Sequence, residues 1–258
     1  MHRIDSPLSS GQSGRDYYAG VYRGDLQREA EWLRRTAPQK AAAIQALLST
    51  ERLRPQTVLE IGAGTGAVIA RLRRVGVGIS HFAVDFSQEA IDELRRTEAG
   101  IQATVADIMV TPDPFATPGG YDLMVASHVV EHLEEPETFL GGLRAVPAPY
   151  LIVEVPLENL PLGRLKARFS DRSRHPAGHV QFFDRSTCDA LIRRAGWQIV
   201  RSHAYAPYLD RETFQFAYGS SGMTTRLIKR CTEDLGPRLF GAAWTRFYHA
   251  HYAVLCTR

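Results

Sequence analysis

Cysteine is scarce in this chain. There are three in 258 residues, Cys188, Cys231 and Cys256, with no Cys-x-x-Cys pair among them. That excludes a disulfide framework and a thiolate zinc site, and reduced thiols in a cytoplasmic protein are expected. Long apolar runs are missing too. No stretch approaches the roughly 20 residues that a membrane-spanning helix needs, so no membrane partner is expected. The opening residues, MHRIDSPLSSGQSGRD, have no apolar centre, which argues against a secretory leader and for a flexible segment over 1–24. Neither sign of charge dominates: 31 basic against 28 acidic residues leave a net +3. A balance that even gives no footing to a nucleic-acid partner. Repeats are absent.

What is present is a 44% hydrophobic chain. That suffices for one filled core, and residues 25–258 are read as a single domain. Helical spacing runs over Asp25–Leu48 through Leu26, Ala30, Leu33, Ala41, Ile44 and Leu47, with Thr36-Ala37-Pro38 expected to break it in two. From Thr57 the register changes to short apolar strands alternating with helices. TVLEI, SHFAVDF, IQATVAD, YDLMVAS and YLIVEVP are the strands, nearly continuously apolar, as parallel strands covered on both faces must be. Ser87 caps the helix after the second strand. Such alternation predicts a doubly wound α/β sheet. Beyond Pro156 come a looser stretch, a helix (DRSTCDALIRRAG), a strand (WQIVRSHAYA), a polar stretch and a last strand-like run, HYAVLCTR. A sixth and a seventh strand are expected there, with lid insertions at about 157–183 and 208–250.

The informative stretch is VLEIGAGTG. Its glycines, Gly62, Gly64 and Gly66, permit a tight turn between strand and helix and close approach of a ligand to the backbone. The helix that follows directs free N–H groups at the same place, where a carboxylate is welcome. The spacing is G-x-G-x-G, whereas dinucleotide pyrophosphate sites use G-x-G-x-x-G. The next strand ends in Asp85, 19 residues after Gly66, where a carboxylate can accept ribose hydroxyls. The third ends in Asp107 followed by Ile108, an acid beside an apolar wall suited to an adenine amino group and ring.

With these residues in view, VLEIGAGTG, VDFS, ADI and YDLMVASHVVEHLEEP resemble, in order, the successive motifs of class I S-adenosylmethionine-dependent methyltransferases. The likeness covers about Thr57–Pro156, with a looser echo in GHVQFFDRSTCDALIRRAGW. It implies a Rossmann-like seven-stranded sheet with the last strand antiparallel, N-terminal helices and a helical lid. It implies S-adenosylmethionine as cofactor: Gly62, Ala63, Gly64 and Gly66 at the methionine end with Glu60 beneath, Asp85 and Phe86 at the ribose, Asp107 and Ile108 at the adenine, Ser127 and His128 at the sulfonium. Tyr22 or Arg23, in DYYAGVYRGD, would reach the carboxylate.

Methyl transfer from a sulfonium needs alignment and exclusion of water, and a base only when the acceptor arrives protonated. Three histidines are candidates. His179 in HPAGHVQFF is the preferred base, with His128 and His132 behind it. His128, Glu131 and His132 share a face if the segment is helical; the expected role of Glu131 and His132 is to hold the loop, and no metal is expected. Phe182 and Phe183 read as core. RLKARFSDRSRH, with Arg164, Lys166, Arg168, Arg172 and Arg174, reads as a solvated basic loop or as a seat for an anionic acceptor. The expected activity is methylation of an oxygen or nitrogen of a small-molecule acceptor, anionic or sugar-containing. A nucleic-acid methyltransferase and a non-catalytic cofactor-binding protein are the alternatives, and a homodimer is allowed.

Overall fold

The computed structural model describes residues 14–168, 177–248 and 250–258. Its first element, α1 (Gly14–Thr50), departs from expectation twice. It begins inside the segment expected to be flexible, because Tyr18 and Tyr22 carry this end of the helix into the interior. Its break falls at Asp25 (φ −147°, ψ 69°), while Pro38 lies inside a continuous helix. The reason is local at Asp25, whose Oδ1 accepts the Arg28 N–H at 3.1 Å and so caps a second helical run. At Pro38 one backbone bond is lost, but Ala37, Ala41, Ile44, Leu47 and Leu48 are buried along the same face and hold the helix together.

The alternation that follows is α2 (Ala67–Arg74), α3 (Gln88–Thr97) and α4 (Pro136–Gly142) interleaved with β1 (Thr57–Ile61), β2 (Ser80–Asp85), β3 (Gln102–Val105), β4 (Leu123–Ser127) and β5 (Tyr150–Leu157). Then come α5 (Pro161–Ala167), α6 (Arg185–Arg194), β6 (Gln198–Tyr205), α7 (Arg211–Tyr218), α8 (Met223–Arg230), α9 (Gly236–Phe240) and β7 (Ala250–Thr257). The seven strands form one sheet in the order β3-β2-β1-β4-β5-β7-β6, with β7 antiparallel to both neighbours. This is the expected Rossmann-like, seven-stranded sheet. No described helix is long and apolar enough to cross a membrane.

Two apolar layers sandwich the sheet. One packs α1, α2 and α3 against Val58, Ala83, Leu123, Ile152 and Leu255. The other packs α4 and α6 against Leu59, Met124, Leu151, Val153 and Val254. Phe183 belongs to the second layer, as its sequence context suggests. The order of strands reverses between β1 and β4, so the chains leaving these two strands diverge and open a crevice at their carboxyl ends. In the region of the second insertion, α7 lies against α1: the Arg28 and Arg35 guanidiniums sit 4.8 and 5.1 Å from the Phe216 ring centre.

Trp197 ties the second layer together. It is 2% exposed, and its Nε1–H donates to the Leu140 carbonyl of α4 at 2.7 Å. Trp197→Ala is expected to lower unfolding free energy by about 3–5 kcal/mol through lost packing and an orphaned carbonyl. Equilibrium guanidinium unfolding measures it, and a loss below about 1 kcal/mol would show that the site collapses around the gap.

Candidate active site

The crevice between β1 and β4 holds a cavity of about 360 Å³. Its floor is the glycine loop. Gly62 and Gly64 have φ of 66° and 53°, and a side-chain carbon on Gly64 would stand 2.6 Å from the Tyr22 hydroxyl. Only glycine allows both that backbone and that approach. Gly66 starts α2 in the left-handed region and faces Leu94, and it does not line the cavity.

Gly66 has no side chain with which to cap α2, and Glu60 does that work. It is buried near the end of β1, and its Oε2 accepts the Ile69 N–H at 2.9 Å. Burial raises the Glu60 carboxyl to about 8, against the opposing Ile69 N–H and the Lys40 ammonium. At the end of β2, Asp85 clamps the loop: its Oδ2 accepts the Gly64 N–H at 2.7 Å and its Oδ1 the Ser87 N–H at 2.9 Å. Asp107 lies two residues past β3 and holds the Met109 N–H, with Ile108 buried beside it. Tyr22, Ala63, Phe86, Asp107, Ile108, Ser127 and His128 all line the cavity, whereas Arg23 is exposed.

His128 follows β4 in the left-handed region (φ 58°), a conformation that a residue of this size adopts only under constraint. The constraint is a buried polar network. His128 Nδ1 is 3.0 Å from Glu131 Oε1, and its Nε2 is 3.3 Å from His251 Nδ1 on β7. Glu154 on β5 accepts the Ser127 hydroxyl at 2.6 Å and the Tyr205 hydroxyl from β6. Burial pushes Glu154 up, but the hydrogen bond from His251 and the charge of Lys40 outweigh it and hold the carboxyl well below its usual range. Burial, with Lys40 and His251 adding to it, pushes His128 well down, so that imidazole is neutral.

His132 belongs to a second row. Its Nε2 accepts the Tyr18 hydroxyl at 3.1 Å, and its Nδ1 faces the Gly178 carbonyl at 3.1 Å. Its ring meets that of His179 edge-on at 4.9 Å, and His179 Nδ1 is 2.6 Å from Glu158 Oε2. The Glu131 carbonyl accepts the N–H groups of Val180 and Gln181, tying the His179 segment to the loop after β4. His179 itself does not line the cavity, whereas His132 and Tyr18 do. Of the basic segment, Arg164 and Arg168 are exposed, the Lys166 side chain is outside what the structure describes, and Arg172, Arg174 and His175 lie outside the described residues.

Sequence reasoning passed over Lys40, Glu154, Tyr205, Glu158 and His251. Two of them carried a signal. Glu154 is the one acid within the apolar run YLIVEVP, and Lys40 follows Pro38 on the apolar face of α1; both are buried and unusual for it. The others come near the site only through strand order.

The cavity fits an adenosyl amino acid. Its glycine floor leaves no room for a side chain, and its lining brings together the Asp85 carboxylate, the apolar Ile108 and Val129, and the Lys40 cation. A family model described as a methyltransferase domain matches residues 32–202. No curated protein sequence matches the chain. Among solved structures, magnesium protoporphyrin IX methyltransferase of Synechocystis PCC 6803 with bound SAM is 12% identical at a TM-score of 0.55, covering 97% of this chain and all 100% of that one. A provisional sarcosine dimethylglycine methyltransferase from Galdieria sulphuraria is 16% identical, TM-score 0.52, over 89% and 85% of the two chains. The [4+2]-cyclase SpnF shares the fold at 17% identity and TM-score 0.53, over 85% and 82%.

The raised carboxyl of Glu60 gives a pH prediction. The fold favours its protonated form, so this share of stability is complete below the ordinary glutamate pKa and is lost as pH rises toward about 8. Glu60→Gln should therefore flatten the fall of the thermal midpoint across that window relative to the parent protein. Parallel curves for the two proteins would contradict the assignment.

Proposed function

The chain belongs to the methyltransferase-domain family, as a class I S-adenosylmethionine-dependent enzyme, and within it we propose transfer of the methyl group to an oxygen or nitrogen of a small-molecule acceptor. When bound, the cofactor supplies a methyl group already activated on sulfur. The protein's part is alignment, dryness and, for a protonated acceptor, removal of a proton. The glycine loop and Asp85 fix one end of the cavity, while buried Tyr22 and half-buried Tyr18 close α1 over it and keep water out.

The observation that carries the reading is the row Glu158, His179, His132, Tyr18. A carboxylate 2.6 Å from an imidazole nitrogen orients that ring and strengthens it as a base. His132 has one nitrogen on Tyr18 and the other on Gly178, which suits a positioning role. His128 is neutral and constrained at the sulfonium side of the cavity. His179, outside the cofactor cavity, is thus the base for an acceptor seated beyond that cavity, with Glu158 balancing the charge. Exposed Arg164 and Arg168, in the segment that leads to His179, favour an anionic or sugar-bearing acceptor. The names of the Synechocystis and Galdieria neighbours point the same way, to small acceptors. The free cysteines suit a reducing cytoplasm.

A panel of sugar nucleotides, hydroxy acids and amines, screened by release of S-adenosylhomocysteine, would find the acceptor class. With it, His179→Ala should lower kcat by about 10²-fold or more while leaving S-adenosylhomocysteine affinity unchanged. A rate equal to the parent's would move the base to His128 or His132.

A further inference from the structure

Three adjacent strands bring together side chains that are remote in sequence: His128 after β4, Glu154 on β5 and His251 on β7. Their donor atoms all lie within 4.8 Å of one another. We infer that His128 Nε2, His251 Nδ1 and a Glu154 carboxylate oxygen form a binding site for one divalent transition-metal ion, of the zinc or manganese kind.

The spacing decides between two readings. His128 Nε2 and His251 Nδ1 stand 3.3 Å apart, and His251 Nδ1 is 3.7 Å from Glu154 Oε1. Tetrahedral ligands at bond lengths of about 2.0–2.1 Å are separated by about 3.4 Å. A simple nitrogen-to-nitrogen hydrogen bond prefers about 3.0 Å. The two imidazole nitrogens are spaced as the edge of a coordination shell, and the Tyr205 hydroxyl, 3.1 Å from His251 Nδ1, would give up that contact to the ion.

The surroundings are those of a metal site as well. A ligating imidazole usually gives its other N–H to a carboxylate, which fixes the tautomer and aims the lone pair. His128 Nδ1 is 3.0 Å from an oxygen of Glu131, a carboxylate with no exposed surface placed to orient that imidazole once it ligates. Glu154 is likewise fully buried and oriented from outside by the Ser127 and Tyr205 hydroxyls. With three protein ligands the shell keeps an open position, and His128 and Ser127 line the cavity.

A second group, Glu131, His132 and His179, also satisfies the proximity requirement. Its donors are committed elsewhere. His132 uses one nitrogen on Tyr18 and the other on Gly178, and His179 Nδ1 is on Glu158. An ion takes one atom from each residue, so binding there would cost His132 one of its two hydrogen bonds; we place the ion in the first group for its ligand spacing, and the variants below separate the two groups. That the ion would hold an acceptor oxygen rests on the function proposed above; its binding does not.

The test uses tag-free full-length protein stripped with chelator, titrated with Co²⁺ and followed by visible absorption, with Zn²⁺ in competition. One equivalent should bind, with an absorption typical of nitrogen and oxygen ligands. His251→Ala should weaken binding at least about 10-fold, and Glu131→Gln, acting through His128, by about 10- to 100-fold. Circular dichroism and S-adenosylhomocysteine affinity of each variant confirm that it folds, and His251→Gln replaces His251→Ala if that fails. Absence of stoichiometric binding, binding indifferent to His251, or loss in His179→Ala in place of His251→Ala would each overturn the inference.

Discussion

A single hydrogen bond, from the Gly64 N–H to Asp85 Oδ2, joins the loop after β1 to the end of β2. Everything at the cavity follows from it. The loop can take its left-handed turns because its residues are glycines, but the clamp selects one turn from the many that glycine allows. With the loop fixed, α2 begins where Glu60 can cap it, and Tyr22 can close to the Gly64 backbone. Charge-assisted bonds of this kind are the strong ones, and here the acceptor is itself 6% exposed, where water competes poorly. On the function proposed above, the same carboxylate would serve both the fold and the ligand, which accounts for an acid at this strand end.

The opposite wall is built on a different principle. Glu131, Glu154, His128 and His251 place charge and imidazole in an interior otherwise filled with aliphatic carbon, an arrangement that is costly unless each group is paired. Pairing is achieved across strands that are neighbours only after the sheet has closed with β7 antiparallel between β5 and β6. The strained backbone of His128 belongs to this wall, where its ring must reach β7 in one direction and Glu131 in the other. The network therefore depends on the complete fold, whereas the glycine loop depends on little more than β1, β2 and α2.

That difference explains what could be read from the sequence. The glycines, Asp85 and Asp107 sit at fixed distances along consecutive strand and helix units, so local chemistry and spacing reveal them. Most strands were legible because each is a short apolar run bounded by turns, whereas β6, QIVRSHAY, is largely polar and exposed at the sheet edge. Residues whose role depends on contacts between distant segments left weak traces. His251 reads as one more residue of a terminal strand, and Lys40 as one more polar residue of a helix, until α1 and β7 are seen at the same cavity. Pro38 misled in the other direction, since the breaking tendency of proline yielded to the burial of its neighbours on α1. The helix before Asp25 was hidden by its composition, because the burial of Tyr18 and Tyr22 depends on a cavity that other elements form.

Calorimetric titration with S-adenosylhomocysteine, with NADH as control, tests the central claim most directly when parent and Asp85→Ala proteins are compared. The account predicts micromolar binding of the sulfur nucleoside to the parent, none of NADH, and at least about a 10-fold loss in the variant, since both a ribose acceptor and the loop clamp are removed. Binding of NADH, or affinity for S-adenosylhomocysteine that survives the substitution intact, would contradict it.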